Sequence, residues 1–169
     1  MAGLRKIRRT DREILDFNEI LDVLRRAQTI RLGLNGDPYP YVVPLSYGYE
    51  AFGEGDGAAR GVAIYIHGAT EGFKHELIKR DNHVCVEADI LHRFAERGEG
   101  DDKSLTTEYE SVIGFGTAEA ISGAEAIKGM ELLIEHCGFK GFTYDLALLE
   151  KVKAYKLILT TVTGKRNLI

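Results

Sequence analysis

The chain of 169 residues has no tryptophan, three prolines, two methionines and two cysteines. Cys85 and Cys137 are too few for a disulfide framework or a four-thiolate zinc site, which fits a reducing cytoplasm. His67, His75, His83, His92 and His136 lack the paired spacing of metal ligands, so no metal is expected. No apolar run approaches the roughly 20 residues that cross a bilayer. The N-terminus lacks an apolar signal core, so neither membrane insertion nor secretion is expected. An excess of positive charge is missing as well. Lys and Arg number 22 against 26 Asp and Glu, for a net charge of -4. That leaves no broad basic surface for nucleic acid or an anionic membrane. The one basic cluster, Arg5-Lys6-Ile7-Arg8-Arg9, reads as a solvated arm over about residues 1–12 that can lend an arginine to a neighbouring anion site. Several motifs are incomplete. Gly114-Phe115-Gly116 does not extend to Gly-x-Gly-x-x-Gly and sits inside a strand, so no dinucleotide fingerprint is present. Gly53-Glu54-Gly55-Asp56-Gly57 lacks the Gly-Lys-Ser/Thr ending of a phosphate loop and carries two repelling acids, so it reads as a hairpin tip. Ser111 has no Gly-x-Ser-x-Gly context, which argues against a hydrolase nucleophile.

What is present is the composition of one globular domain spanning residues 1–169, with 44% apolar and 28% charged residues. Asp16 to Glu19 has the form of a capping box and predicts a helix to about Ala27, with Phe17, Ile20, Leu21 and Leu24 on one face. Ile30, Leu32 and Leu34 predict a strand, Asn35-Gly36-Asp37 a hairpin turn, Tyr39 to Ser46 a second strand and Tyr47 to Phe52 a third. Val84, Val86 and Ala88 form one face of a later strand, with Cys85, Glu87 and Asp89 on a face that meets solvent. Residues 91–104 are charged and contain glycine, which predicts a mobile loop. A long strand is expected from about Tyr109 to Ile121. A second capping box, Ser122 to Glu125, opens a helix with Ile127, Met130, Ile134 and Cys137 facing the core and Gly138 as its terminator. A short helical stretch, Leu146 to Val152, and a last strand, Ala154 to Val162, complete the chain. Six or seven strands joined mostly by short turns point to an antiparallel barrel with peripheral helices. Gly114 and Gly116 suit barrel curvature or close approach of a ligand.

The segment Ile64-Tyr65-Ile66-His67-Gly68-Ala69-Thr70-Glu71-Gly72-Phe73-Lys74 carries the most chemistry. Val62, Ile64 and Ile66 alternate with Ala63, Tyr65 and His67 in the pattern of a half-buried strand. Gly68 and Gly72 permit a tight turn and close approach by a ligand. Phe73 to Arg80 then predicts a short helix. Its unpaired N–H groups, its positive dipole end and the Lys74 ammonium together suit a phosphate. A plain strand-turn-helix connection has the same appearance, and a histidine at a strand end is commonly structural.

Five segments in order resemble one family: Arg8-Arg9-Thr10-Asp11-Arg12-Glu13-Ile14, Pro40 through Tyr49, Tyr65 through Lys74, Ser111 through Gly116, and Thr163-Gly164-Lys165. Over residues 8–166 the chain resembles the nitroimidazole-resistance (Nim) family of pyridoxamine 5'-phosphate oxidase-like flavoproteins. The resemblance implies a mainly β split barrel, a homodimer, and FMN bound in the groove between subunits. It places Val43, Pro44 and Leu45 beneath the isoalloxazine ring, and runs Tyr65, Ile66, His67, Gly68 and Ala69 along the flavin and ribityl chain. It assigns the phosphate to Lys74, has Ser111 open the strand that completes the pocket, and sets His67 near the flavin as the catalytic residue. The segment before Ser111 departs from the family pattern, with Lys103-Ser104-Leu105-Thr106-Thr107 where a cysteine often stands. The implied activity is an FMN-dependent oxidoreductase acting on small nitroaromatic compounds. Two alternatives stay open: a flavin carrier or sensor without turnover, and the same barrel using a deazaflavin or haem.

Overall fold

The computed structural model describes residues 7–53 and 60–169. The Gly-rich tip at 54–57 and the start of the basic arm therefore lie outside the described residues. Helix α1 (Phe17–Arg26) starts where predicted, because the Asp16 carboxylate accepts from the Asn18 N–H at 2.9 Å. Glu19 does not close the box; its carboxylate accepts from Arg166 at 2.8 Å, tying α1 to the last strand.

The strands are β1 (Glu13–Ile14), β2 (Ile30–Leu34), β3 (Tyr41–Leu45), β4 (Gly48–Phe52), β5 (Gly61–Gly68), β6 (His83–Arg97), β7 (Ser104–Ile121) and β8 (Lys153–Asn167). They form one sheet in the order β3-β2-β6-β7-β8-β5-β4, with β1 also on β8. Its pairs are antiparallel. The order ends on β3 and β4, which are consecutive in the chain, so the sheet curls into a barrel that is split between them. Leu32, Ile64, Val86 and Leu157 fill its interior at 0–2% exposure. Helix α1 closes one end with Val23 and Leu24. There the buried Tyr47 hydroxyl donates to the Leu24 carbonyl at 2.5 Å.

Four expectations need correction. First, only 98–103 is a loop, with a 3-10 turn at Gly100–Asp102: β6 continues to Arg97 and β7 begins at Ser104, making one long hairpin. Its charges are cross-strand partners, with Arg93 on Glu108 at 2.7 Å and Lys103 on Glu96 at 3.1 Å. A register shift between Leu91 and Arg93 breaks the alternation that would have revealed the strand. Second, β5 is not half-buried. Its residues from Gly61 to Ile66 are all buried, because helix α3 (Gly123–His136) covers the face opposite the barrel interior. Tyr65 lies beneath Gly129 of α3, where a Cβ would fall 2.5 Å from the Tyr65 ring. Third, α3 turns Ala126, Gly129 and Leu133 inward rather than the predicted stripe, and Cys137 is exposed. Fourth, Ser122 makes no capping hydrogen bond, and Glu125 instead accepts from Lys156 at 2.7 Å.

Two further differences are the short β1, which the sequence pattern does not anticipate, and β8, which runs to Asn167 rather than ending at Val162. Helix α2 is Phe73–Arg80, and Leu146–Lys151 forms a 3-10 helix. Gly116 sits at a β7–β8 register shift where a Cβ would fall 1.8 Å from the Ile158 carbonyl oxygen. Only glycine permits that approach.

Candidate functional site

Strand β5 ends at Gly68, and α2 begins five residues later at Phe73. The turn between them relies on Gly72, whose φ of 138° places it in the region that favours glycine. Gly72 caps α2 without any side-chain hydrogen bond, so the first N–H groups of the helix receive no side-chain cap. Lys74 folds back from the first turn of α2 over the end of β5. A Cβ on Gly68 would stand 2.8 Å from its Nζ, so the missing side chain is what admits the ammonium. Lys74 is half-buried, and burial holds its pKa below the ordinary lysine value. Among the described residues no carboxylate lies within ion-pair distance of it.

Below the turn is a strut that sequence reasoning missed. His75 is 8% exposed; one ring nitrogen lies 2.8 Å from the Ala69 carbonyl oxygen and the other 2.9 Å from the Tyr155 hydroxyl. A carbonyl can only accept, so Nε2 carries the proton and donates to Ala69, while Nδ1 accepts from the phenol. The imidazole thus fastens the turn to β8. No motif spacing could have announced this pair, because Tyr155 reaches His75 only through the β5–β8 pairing.

His67 occupies a different face. Residues two apart on a strand share a face, so its side chain lies with Ala63 and Tyr65, on the α3 side. It lines a small cavity of about 10 Å³ with Ala126, Gly129 and Met130. Its Nδ1 is buried with no hydrogen-bond partner. Burial, and secondarily the Lys74 charge, lower its pKa and favour the neutral ring.

The predicted site residues therefore fall into groups. Gly68, Ala69 and Lys74 come together at the turn. Tyr65 and Ile66 are 1% and 2% exposed and are packing residues, Ile66 in the barrel core and Tyr65 under α3, with its hydroxyl 2.6 Å from Glu50 and 2.8 Å from Glu125. Val43 and Leu45 lean on the core, while Pro44 points outward opposite Arg31. Ser111 does not open its strand: β7 begins at Ser104, and Ser111 lies within it, between Asp89 and Lys165 in register. Glu87 and Asp89 both accept from Arg31, the former at 2.8 Å, and so form an ion cluster instead of a catalytic dyad. Burial raises the Cys85 thiol pKa, which disfavours the nucleophilic thiolate. Among the described residues no group of three or more potential ligands is arranged to hold a metal ion. No described helix is long and apolar enough to cross a membrane.

An eight-stranded antiparallel sheet, split between β3 and β4 and carrying a cationic turn at the end of β5, is a pyridoxamine 5'-phosphate oxidase-like split barrel. The chain belongs to the pyridoxamine 5'-phosphate oxidase family, whose model matches residues 16–166. Among solved structures it is similar to a Bacteroides thetaiotaomicron protein provisionally named for 5-nitroimidazole antibiotic resistance. That likeness has a TM-score of 0.73 and 26% identity over 90% of this chain and 85% of the other. The flavocytochrome Anf3 of Azotobacter vinelandii shares the fold at a TM-score of 0.71 and 19% identity, over 98% of this chain and 73% of the other. An FAD-binding protein of Mesorhizobium loti shares it at 0.60 and 21%, over 91% and 96%. No curated protein matches the chain in sequence.

Proposed function

We propose that the protein binds FMN and acts as an oxidoreductase on small nitroaromatic compounds. The observation that carries the cofactor assignment is Lys74, a half-buried ammonium without a carboxylate partner among the described residues, held over Gly68 at the uncapped start of α2. Desolvating a lysine without a counter-charge costs stability. A phosphate at that point would return the counter-charge and accept from the free N–H groups. The flavin, when bound, supplies the electron transfer. The chain supplies the phosphate anchor and, through His75, a turn fixed in place. Pro44 and Ser111 would meet the ring system from the outer face of the sheet. That face carries Val42 at 59% and Ile113 at 37% exposure, and a second copy of the chain would cover it in a homodimer.

His67 is the proposed proton or hydrogen-bond donor to the acceptor. Its Nδ1 is enclosed beneath α3, which leaves Nε2 as the nitrogen able to meet a ligand. One feature favours a second possibility, a flavin carrier without turnover: the His67 ring is on the α3 face of β5, while Lys74 crosses the other face at Gly68.

The absorption spectrum of the purified protein, with mass identification of the released chromophore, tests the cofactor. FMN is expected, and a colourless protein that does not take up FMN would refute it. Lys74→Ala should weaken FMN by about 1.5–3 kcal/mol and leave riboflavin nearly unchanged. Equal losses on both would remove Lys74 from the phosphate. Pre-reduced His67→Ala, mixed with a nitroaromatic acceptor, should reoxidise about 100-fold more slowly than wild type, and His67→Gln should match that loss if His67 transfers a proton and regain much of the rate if it only donates a hydrogen bond. Unchanged rates would favour the carrier.

A further inference from the structure

We propose that Lys153 is a second cation of the same site, so that a phosphate monoester is held between two lysines, one from the first turn of α2 and one from the first residue of β8. Lys153 is the cross-strand neighbour of Gly68. The next pair along the ladder with the same orientation is Ile66 with Tyr155, both in the barrel core. Lys153 shares the face of Tyr155, and its Nζ stands 5.8 Å from the Tyr155 ring centroid. The ammonium of Lys74 lies over the Cβ direction of Gly68. Gly68 and Ile66 share a face by strand alternation, so both lysines converge on the same side of the sheet at the end of β5.

Three further features make the pair a site for an anion. Lys153, like Lys74, is partly buried and has no carboxylate within ion-pair distance among the described residues. Some lysines elsewhere in the fold do find acids, as Lys128 does on Glu50 at 2.7 Å and Lys156 on Glu125 at 2.7 Å. His75, which touches both the turn and Tyr155, responds to both charges. Burial holds its pKa down, the Ala69 carbonyl works in the opposite direction, and Lys74 and Lys153 each add to the lowering. With both ring nitrogens engaged, His75 is a neutral strut and cannot itself take the anion. Two like charges at one strand end repel each other until a dianion sits between them. A phosphate monoester carries about -1.5 to -2 at neutral pH and meets that requirement at a single point. The diphosphate of FAD spreads its charge over two centres. Lys153 is therefore expected to favour FMN over FAD as well as over riboflavin.

The identity of the ligand rests on the FMN proposal; the two-lysine site does not. Lys153→Met, Lys153→Arg and the remote control Lys140→Met should be titrated with FMN, FAD and riboflavin, after thermal melts confirm folding. Lys153→Met should lose about tenfold or more in FMN affinity, lose less on FAD, and keep riboflavin within about twofold. Lys153→Arg should restore much of the loss, and Lys140→Met should change nothing. Unchanged FMN affinity in Lys153→Met, an equal loss on riboflavin, or an equal loss in the control would overturn the proposal. If wild type takes up no flavin, inorganic phosphate replaces it, read by phosphorus NMR line broadening. Broadening that disappears in Lys153→Met would keep the two-lysine site and reject FMN, whereas broadening independent of Lys153, or none at all, would reject the site.

Discussion

Gly68→Ala separates binding from folding at one atom. Gly68 is not among the positive-φ glycines, so alanine can adopt its backbone conformation. In the folded protein the new methyl would stand 2.8 Å from Lys74 Nζ and 3.7 Å from Lys74 Cε, and it meets no other heavy atom within 4 Å. Only the far end of a flexible side chain has to move, and Lys74 can swing towards solvent. Replacing glycine by alanine at a compatible position stabilises by about 0.4–1 kcal/mol through the unfolded chain. The melting temperature should therefore hold or rise slightly. The displaced ammonium can no longer reach an anion over the strand end. Losing a charge-assisted contact worth about 1.5–3 kcal/mol corresponds to roughly 10- to 150-fold in FMN affinity. Flavin fluorescence titrations of wild type and variant, each with FMN and riboflavin, measure both arms. A loss on riboflavin as large as that on FMN would mean that the methyl meets the ring or ribityl chain, and the placement of the phosphate at Gly68 would be wrong. A drop in stability above about 1 kcal/mol would show that Lys74 cannot move aside, against the mobility expected of a lysine terminus.

Val42→Asp places a charge on the exposed outer face of β3, and sedimentation should show a monomer with weakened FMN binding; a wild-type monomer with full FMN affinity would end the shared-site proposal. Gly129→Ala drives a methyl to 2.5 Å from a Tyr65 ring whose hydroxyl is fixed by Glu50 and Glu125. Overpacking there should cost about 1–3 kcal/mol in urea denaturation. The Glu110 carboxyl is held below the usual range chiefly by Arg26 and also by His92, against the opposing effect of burial. A lowered folded-state pKa contributes stability above the unfolded value of about 4.3, and that contribution is lost as pH falls through the folded value. Glu110→Gln should therefore flatten the acid limb of a melting-temperature profile while lowering stability at neutral pH, and an unchanged acid limb would exclude this carboxyl.

The local signals that can be read from the sequence are those made by neighbours in the chain. Asp16 caps α1, and Gly72 and the apolar pair Leu77 and Ile78 define α2 to the residue. Strands β2, β3 and β4 are anticipated, β2 from its alternation and its hairpin to β3 from Asn35-Gly36-Asp37, whereas the two-residue β1 is not. The misreadings share a cause, which is partners distant in sequence. The charges of 91–104 look solvated until Arg93 meets Glu108 across the hairpin. Ala63 and Tyr65 look like the exposed half of a strand until Gly129 brings α3 against them. The true inner stripe of α3 is small, with Ala126 and Gly129 in it, so a search for large apolar residues settles one position away. Within the site, Lys74 is visible because it follows the glycines directly. Lys153 and Tyr155 are not, since only the β5–β8 register brings them to Gly68 and to the α2 turn.

The filled barrel constrains where any flavin can go. Ile64, Leu32 and Leu157 are completely buried and Val86 nearly so, leaving no interior room for a planar ring. An anion anchored at Gly68 is at a strand end, beside the rim. A ring attached to it must lie along the outside of the sheet, where one face would remain open to water. The exposed Val42 and Ile113 show that this outer surface is itself only partly covered. A second chain laid on that face would bury the apolar patch and the open side of the ring together. The cationic turn and the proposed homodimer are then coupled. Ligand bound across two chains stabilises the dimer by mass action, so weakening the phosphate anchor at Lys74 or Lys153 should also weaken association at fixed FMN.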